Sequence, residues 1–393
     1  MKKDLFLSFV VLFQLVLTTF QLLLPLYGIA TIELASKLRI LVTILTYIPA
    51  AYIIFKRRPS LVILPFIVYA IILLFNYLLF PDSHTFIESS NAYTLTPISI
   101  LTMIIMIGIK DFGCFQKVLL YLSRICPFIG LLYVYGSKNF VVIDADYAYS
   151  MSFGYSFLLP ALYLFYQEKL IDKVLSLLLF VLIVVDGSRG PVVVTGLFYL
   201  YEILFSSNKY NRLGTIFIFL VISATSLFYV SQLNIMDSSR TVMLIRNGEF
   251  VSHDSGREEI LYLPAMREIE KSPIVGHGIG SDRKLIGFYV HNIFLEVFLH
   301  YGLFGGGILF FLFFFFCIKS FFNKQIVNLQ GGRNVFIMIF MFGFLPLLVS
   351  SSYLLDFGFA VLIGYIVRCQ KVKRTALKKT FCANNVKMKK MYN

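Results

Sequence analysis

The chain has 393 residues, of which 58% are hydrophobic and 14% are charged, and its mean hydropathy is +0.81. Soluble domains carry about 25% charged residues, so this composition excludes an ordinary soluble globular protein. Apolar runs of roughly 17–25 residues recur along the chain, and this is the length needed to cross about 30 Å of hydrocarbon. The sequence therefore predicts an all-α, polytopic membrane protein.

The net charge of +14 would suit a nucleic-acid partner, but its distribution argues against one. Of 35 Lys and Arg residues, 23 fall in segments that we assign to the cytoplasmic side and four in short outer connections. The longest polar stretch, residues 232–288, has seven basic and eight acidic residues and is not a surface for a polyanion. An excess of basic residues on one side sets the orientation in a bilayer. We predict a membrane environment and no nucleic-acid partner.

Twelve spans are predicted within a single integral membrane domain, residues 1–393. They fall at about 5–27, 38–55, 61–80, 95–109, 118–135, 149–166, 171–186, 190–205, 213–231, 289–319, 334–350 and 354–368. The tenth should break at Gly305-Gly306-Gly307. Both termini then face the cytoplasm, the loop 232–288 is external with short amphipathic helices, and 370–393 is a basic cytoplasmic tail.

Polar residues inside or beside the apolar runs need separate explanations. Arg124 lies within the fifth span, where a charge costs at least about a few kcal/mol, and the sequence does not identify its partner. The spacing of Asp82, His84 and Glu88 matches no standard metal site, so no metal is expected. Five cysteines lack CxxC spacing and should pack rather than pair: Cys114, Cys126, Cys317, Cys369 and Cys382.

Within the loop, the segment Ser255–Glu258 fits a capping box that opens a helix running toward Lys271 despite Pro264. Ile260, Leu261, Met266 and Ile269 should form one face of that helix, lying on the membrane or on the bundle. Arg257 would then lie in the first turn, where free N–H groups and the helix dipole favour an anion, and its planar fork suits a phosphate. The alternative is a surface salt bridge with Glu258 or Asp254.

Two further segments lead back to the membrane. Gly276–Gly280 lacks the preceding strand of a dinucleotide site and is predicted to be a flexible turn. His291 and Asn292 open the tenth span, with His291, Phe294, Leu295 and Phe298 on one face and Asn292, Glu296 and His300 on another. A neutral imidazole there could accept a proton near neutral pH, or it could be an interfacial, hydrogen-bonded histidine.

These motifs together resemble the O-antigen ligase and O-antigen polymerase (Wzy-type) family of bacterial inner-membrane proteins. The resemblance rests on Gly187-Ser188-Arg189 at an outer hairpin and on the motifs Ser255-Gly256-Arg257, 272–278, His291-Asn292, Leu295-Glu296 and 301–305. Taken alone, Arg189 could simply extend its charged group to the membrane interface. The motifs cover about a quarter of the chain. Members often have Trp shortly after the loop arginine; here Tyr262 is the nearest aromatic candidate.

The resemblance implies an inverting, metal-independent glycosyltransferase of the membrane-embedded, GT-C-like class, with no cofactor. It would move a glycan from undecaprenyl pyrophosphate to an acceptor hydroxyl on the outer face of the cytoplasmic membrane. By matching position, Arg189 and Arg257 would bind the pyrophosphate, and His291 would act as the base or orient the acceptor, with Glu296 in reserve. Further partners would be a flippase and a chain-length regulator of the same pathway.

Three functions remain open at this stage. A polymerase, for capsule or O-antigen synthesis, is favoured because polymerases are the more numerous and divergent group. A ligase would transfer the glycan to lipid A core with the same motifs. A flippase or transporter has a similar number of spans, but its charges should lie near the membrane midplane on broken helices. Here most of the charges lie beside one large outer loop.

Overall fold

The computed structural model describes residues 2–139, 151–186, 189–205, 257–322 and 332–370, and these are helical with no strand among them. The main helices are α1 (Lys2–Leu26), α2 (Ile32–Arg57), α3 (Pro59–Leu79), α4 (Leu95–Gly108), α5 (Phe112–Asn139), α6 (Met151–Tyr166), α7 (Leu170–Asp186), α8 (Arg189–Phe205), α9 (Leu263–Lys271), α10 (Ile293–Phe321), α11 (Gly332–Gly343) and α12 (Phe357–Gln370). In this part of the chain, six helices are long and apolar enough to cross a membrane.

The helices begin and end where the local sequence allows. Thr31 caps α2, since its hydroxyl accepts a hydrogen bond from the Leu34 N–H at 3.2 Å. Pro59 starts α3, where its missing N–H costs nothing. Gly28, with φ +65°, ends α1 in the left-handed conformation that glycine adopts without strain. The helices extend a few residues beyond several predicted spans; the predicted ninth span, 213–231, lies outside the described residues.

The bundle packs around α1, while other apolar helices remain exposed. Leu7, Val10, Val11 and Leu12 in α1 are completely buried and join the main core with side chains of α2, α4, α6 and α12. In α3 only Asn76 is buried, although the helix is almost entirely apolar. An exposed apolar surface of this extent is unfavourable in water and favourable against lipid tails. The architecture is therefore that of a membrane-embedded helical protein.

Polar contacts cluster at two opposite ends of the bundle. At one end, Arg57 donates to Asp4 at 3.0 Å, and Arg368 donates to the carbonyl of Lys110 at 2.8 Å. All of these belong to segments that the sequence analysis placed on the cytoplasmic side. The opposite end contains the candidate site described below.

Arg124 has the partner that the sequence could not identify. Its Nε and Nη2 atoms donate to the two carboxylate oxygens of Asp172 at 2.7 and 2.8 Å, joining α5 to α7. Asp172 is buried, so the paired guanidinium satisfies a carboxylate that would otherwise be costly in this environment. The four described cysteines are buried, as the packing prediction expected, and none is in a disulfide: Cys114, Cys126, Cys317 and Cys369.

The loop helix is present, but the four predicted apolar residues do not share one face. A π-helical turn over Glu258–Tyr262 precedes α9, and Pro264 falls in the first turn of α9, where proline is tolerated. The π turn changes the angular phase. Leu261, Ala265 and Ile269, spaced four apart, face the interior, whereas Ile260 and Met266 are exposed. Ser255, the predicted cap, lies outside the described residues.

The break in α10 lies at Gly302 and not at Gly305–Gly307, as the sequence analysis expected. Gly302 has φ +66° and ψ 176°, whereas the later glycines are helical. The break leaves carbonyl groups of α10 free to accept hydrogen bonds from the loop. The N–H groups of His277 and Gly278 donate to the carbonyls of Leu299 and His300, both at 2.9 Å. The predicted flexible turn at Gly276–Gly280 is thus a closely packed segment that fills the gap in the helix.

Gly302→Ala should destabilise the protein, because the added Cβ would lie 2.2 Å from the carbonyl oxygen of Ile274 and φ is positive. Strain of this kind costs about 1–3 kcal/mol. Thermal unfolding of the full chain in detergent is the measurement. The matched control is Gly307→Ala in the same helix, where the new Cβ meets nothing within 4 Å and stability should stay equal or rise. Equal stability of wild type and Gly302→Ala would contradict the packed break.

Candidate functional site

A cluster of buried ionisable residues, Asp282, Arg283, Glu296 and His300, lies where the loop meets α10; we refer to it as the buried charge cluster. Arg283 Nη1 donates to Asp282 Oδ1 at 2.5 Å and to Glu296 Oε1 at 3.3 Å. His300 Nε2 lies 3.1 Å from the same Asp282 oxygen. Both carboxylates are 0% exposed. At that depth each needs a partner, because an unpaired buried charge is strongly destabilising.

The segment that follows α11 completes this cluster. The hydroxyl of Ser352 donates to Glu296, and the N–H of Tyr353 donates to the other Glu296 oxygen at 3.3 Å. Arg283 Nη2 donates to Ser352 Oγ at 3.1 Å, and His300 Nδ1 lies 2.8 Å from the Tyr353 hydroxyl. The cluster thus ties the loop, α10 and the 350–356 segment into one unit.

Three members of the cluster have donor atoms close enough together to hold a metal ion: Asp282, Glu296 and His300. However, the guanidinium of Arg283 donates to both carboxylates, so a positive charge already lies between them. Burial would raise the pKa of Asp282, but the charges of His300 and Arg283 outweigh burial and hold it below its usual value. The carboxylate is therefore ionised and compensated by protein groups, which suits a structural role.

A second polar contact fixes the loop on the end of α3. Lys284 donates to Asp82 at 2.9 Å, and His277 Nδ1 lies 3.2 Å from the other oxygen of the same carboxylate. Burial would raise the pKa of Asp82, yet hydrogen bonds from Lys284 and His277 bring it below the ordinary value. His84 instead stacks on Tyr77. Asp82 and His84 therefore have protein partners of their own.

His291 precedes α10 and does not form part of it. Its φ of +60° is unusual for a residue other than glycine, so it cannot share a helical face with Phe294 as the sequence analysis expected. Asn292 is the cap: its side-chain oxygen accepts from the N–H groups of Phe294 and Leu295 at 3.0 and 3.3 Å. The unusual backbone turns the imidazole toward Tyr289, whose ring centre is 4.2 Å away.

Arg257 lies close enough to His291 to affect its charge state. Burial and then the positive charge of Arg257 lower the pKa of His291 from 6.5 to about 4. The imidazole is therefore neutral at physiological pH. Its Nδ1 atom is buried and has no hydrogen-bond partner among the described residues. A buried polar atom without a partner costs about 1–3 kcal/mol, and such atoms are often found where a ligand binds.

Arg257 and the start of α8 both contact Val349. Arg257 Nη1 donates to the carbonyl of Val349 at 2.5 Å. Gly190 lies against the same residue, because a Cβ added there would be 3.3 Å from a methyl group of Val349. Arg189, the neighbour of Gly190, begins α8, and its side chain lies outside the described part of the structure. The backbone at Arg189 and the guanidinium of Arg257 thus approach a common residue.

Of the four predicted site residues, Arg257 is near enough to His291 to lower its pKa, and the start of α8 lies against Val349, to which Arg257 donates. Glu296 is different: it is 0% exposed and engaged by Arg283, Ser352 and Tyr353. It shares the cluster with His300, one turn later, as the predicted common face of these two residues required. Glu296 is therefore buried and enclosed by protein partners in this structure.

Sequence reasoning missed most of the supporting residues. Asp282 and Arg283 belong to the loop, where charged residues are too frequent for any one of them to be singled out, and Tyr289 directly follows the loop. Ser352 and Tyr353 follow two further serines in an apolar region, and this polar interruption between two predicted spans was the one available signal. Their importance depends on contacts between segments more than 50 residues apart.

A scan against protein families, a search of characterised proteins and a search of solved structures each found no match to this chain. Function must therefore be inferred from the residues and from their arrangement.

The unusual charge state of His291 can be measured directly. In the full chain with ¹⁵N-labelled histidine, one of the five imidazoles should titrate with a pKa of about 4 and should disappear in His291→Gln. Arg257→Gln removes a nearby positive charge and should raise this pKa, though not to 6.5, because burial remains. Arg267→Gln, an exposed change in α9, is the control and should leave the pKa unchanged. A wild-type His291 that titrates near 6.5 would contradict this environment.

Proposed function

We propose that the chain is a polysaccharide polymerase for O-antigen or capsule. It transfers a glycan from an undecaprenyl-pyrophosphate-linked repeat unit to an acceptor sugar hydroxyl on the outer face of the cytoplasmic membrane. The observation that carries the proposal is a neutral, partly unsatisfied imidazole at His291 whose pKa is lowered by the charge of the Arg257 guanidinium. They lie at one end of a membrane-embedded bundle, beside the start of α8 at Arg189.

These two groups suit inverting glycosyl transfer from a lipid diphosphate. The diphosphate leaves with increasing negative charge, and stabilising this charge is the main electrostatic task. A guanidinium has five donors in a rigid fork, so Arg257 can anchor on Val349 and also bind phosphate oxygens. Arg189 would act beside it. The imidazole of His291 accepts the proton of the acceptor hydroxyl as the oxygen attacks the anomeric carbon from the opposite face.

Donor binding would strengthen the base. In the free site the charge of Arg257 disfavours protonation of His291. The negative charge of the diphosphate would offset this effect and raise the proton affinity of the imidazole. A base that is weak in the free site would thus become stronger when the donor is present. His291 would therefore take up a proton readily only after the donor has bound.

The proposal includes a membrane topology. Twelve spans, a GT-C-like membrane domain, an external loop at 232–288, and cytoplasmic termini follow from the positive-inside rule and from the family resemblance. Contacts at the two ends of the bundle support the division, since each joins segments assigned to the same side. Residues 232–256 and 371–393 lie outside the described residues. The second candidate, a ligase acting on lipid A core, would use the same groups with another acceptor.

The decisive test reconstitutes the full chain alone in proteoliposomes with a lipid-linked repeat unit. A polymerase should produce a ladder of longer lipid-linked glycans. Transfer only after addition of lipid A core would instead identify a ligase. Movement of the intact donor across the bilayer, with no new glycosidic bond, would overturn the proposal in favour of a flippase.

Arg257→Lys should be nearly as damaging as Arg257→Ala, with transfer about 10²–10³-fold slower in both. The lysine retains the charge but not the planar fork that binds two oxygens at once. Transfer rate at matched expression in proteoliposomes is the measurement. Arg267→Lys is the matched control on α9 and should keep wild-type activity. Wild-type activity in Arg257→Lys would reduce Arg257 to a point charge or a structural residue.

His291→Ala should fold normally and slow transfer by about 10²–10⁴-fold. In the wild type, kcat/KM should persist on acidification until the pKa of about 4 in the free site, because protonation removes the base. The kcat profile should fall at a higher pH, because bound donor raises that pKa. Glu296→Gln should mainly lower the melting temperature. A folded but inactive Glu296→Gln beside an active His291→Ala would assign the role of base to the carboxylate.

A further inference from the structure

A cavity of about 320 Å³ adjoins the candidate site. Tyr289, which lies against His291, forms part of its wall, and from there the cavity extends to the middle of α1 and α4. Its size is within the range of small-molecule binding sites, about 300–1,000 Å³. Much of its lining is polar although it lies within a membrane-embedded bundle. Hydroxyl and amide groups come from Gln14, Thr18, Ser99, Thr102, Ser152 and Ser156.

Gln14 lines this cavity with a polar atom that has no partner. The residue is 5% exposed, and its Nε2 atom has no hydrogen bond among the described residues. Its other amide atom lies 3.2 Å from the hydroxyl of Thr43, and that hydroxyl donates to the carbonyl of Arg39 at 2.8 Å. Thr43 has one hydrogen to give, so one end of the amide stays unsatisfied whichever way it is turned.

Arg39 brings a positive charge to the same cavity. It lies two turns into α2, and its Nη1 donates to the neutral amide oxygen of Gln21 at 2.7 Å. No carboxylate forms an ion pair with it among the described residues. Two other arginines of the bundle have acidic partners: Arg124 is paired with Asp172, and Arg57 with Asp4. A charge within a membrane helix is costly and usually has a partner.

The acid that also lines the cavity already has a partner. Asp356 Oδ1 accepts a hydrogen bond from the N–H of Phe359 at 2.8 Å, at the start of α12. Gln14 therefore has an unsatisfied polar atom, and Arg39 has no acidic partner among the described residues. Together they call for a ligand with an anionic group and additional polar atoms, of a size to fit about 320 Å³.

We propose that the cavity binds a carboxylate-bearing sugar, such as a uronic acid residue of the glycan, with its carboxylate on Arg39 and its hydroxyls toward Gln14 and the surrounding hydroxyl groups. This inference rests on the proposed function, since it names the glycan that the site handles. A neutral sugar would leave Arg39 without a counter-ion. A free inorganic anion would leave the hydroxyl-lined part of the cavity unused.

The test uses the full chain in lipid nanodiscs and two probes that differ in one group, methyl β-D-glucuronide and methyl β-D-glucoside. Saturation-transfer difference NMR measures binding of each. The glucuronide should bind at least about tenfold more tightly, as expected for a hydrogen bond to a charged group. Arg39→Gln should abolish this preference. Arg58→Gln, an exposed change at the far end of α2, is the matched control and should retain it.

Equal binding of the two probes by the wild type, or a preference that survives Arg39→Gln, would overturn the proposal. Competition with inorganic pyrophosphate tests whether Arg39 binds the lipid diphosphate instead of a sugar carboxylate. If pyrophosphate displaces the glucuronide and this displacement depends on Arg39, the arginine is assigned to the diphosphate and the proposal is overturned. If Arg39→Gln does not fold, Arg39→Lys replaces it and should reduce the preference. Arg257→Lys should leave glucuronide binding intact, so failure of glycosyl transfer and failure of this subsite are distinguishable.

Discussion

The guanidinium of Arg283 lies between the carboxylates of Asp282 and Glu296, and the arrangement of the candidate site depends on this contact. It links the loop to α10 across 13 residues, and it also reaches Ser352 on the 350–356 segment. Removing one partner from a buried ion pair costs about 3–5 kcal/mol, because the remaining charge cannot reach water. The cluster is therefore a specific constraint on how these segments meet.

The position of His291 follows from that constraint. It lies in the short connection between Arg283 and Glu296, so both ends of the connection are held by the same cluster. A non-glycine residue with positive φ costs about 1–3 kcal/mol and persists only where its surroundings impose it. Here the fixed ends, together with the cap at Asn292, impose the conformation that places the imidazole beside Tyr289 and within the field of Arg257. Structural charges and the proposed catalytic group are thus separate but adjacent.

The break at Gly302 has a related consequence. A continuous α10 would satisfy its own carbonyls and give the loop nothing to bind. Because the helix is interrupted, the carbonyls of Leu299 and His300 accept hydrogen bonds from His277 and Gly278, and the loop lies against the bundle. Asp82 then fixes Lys284 on the next turn of the same loop. The cavity that contains Arg39 and Gln14 begins where this docked loop presents Tyr289, which lies against His291.

The sequence by itself determined the helical, membrane-embedded class, because apolar runs of spanning length and a low charge content leave few other solutions. It also identified Arg257, Arg189 and His291 as residues of interest, through the motifs of the family resemblance and, for Arg257, through the predicted start of a helix. Only the tertiary structure decided that Arg124 pairs with Asp172, that α10 breaks at Gly302, and that Glu296 is enclosed by Arg283 and Ser352. These outcomes depend on contacts between residues far apart in the chain. Local periodicity cannot encode which buried charge meets which partner, because pairing is fixed by how the helices pack.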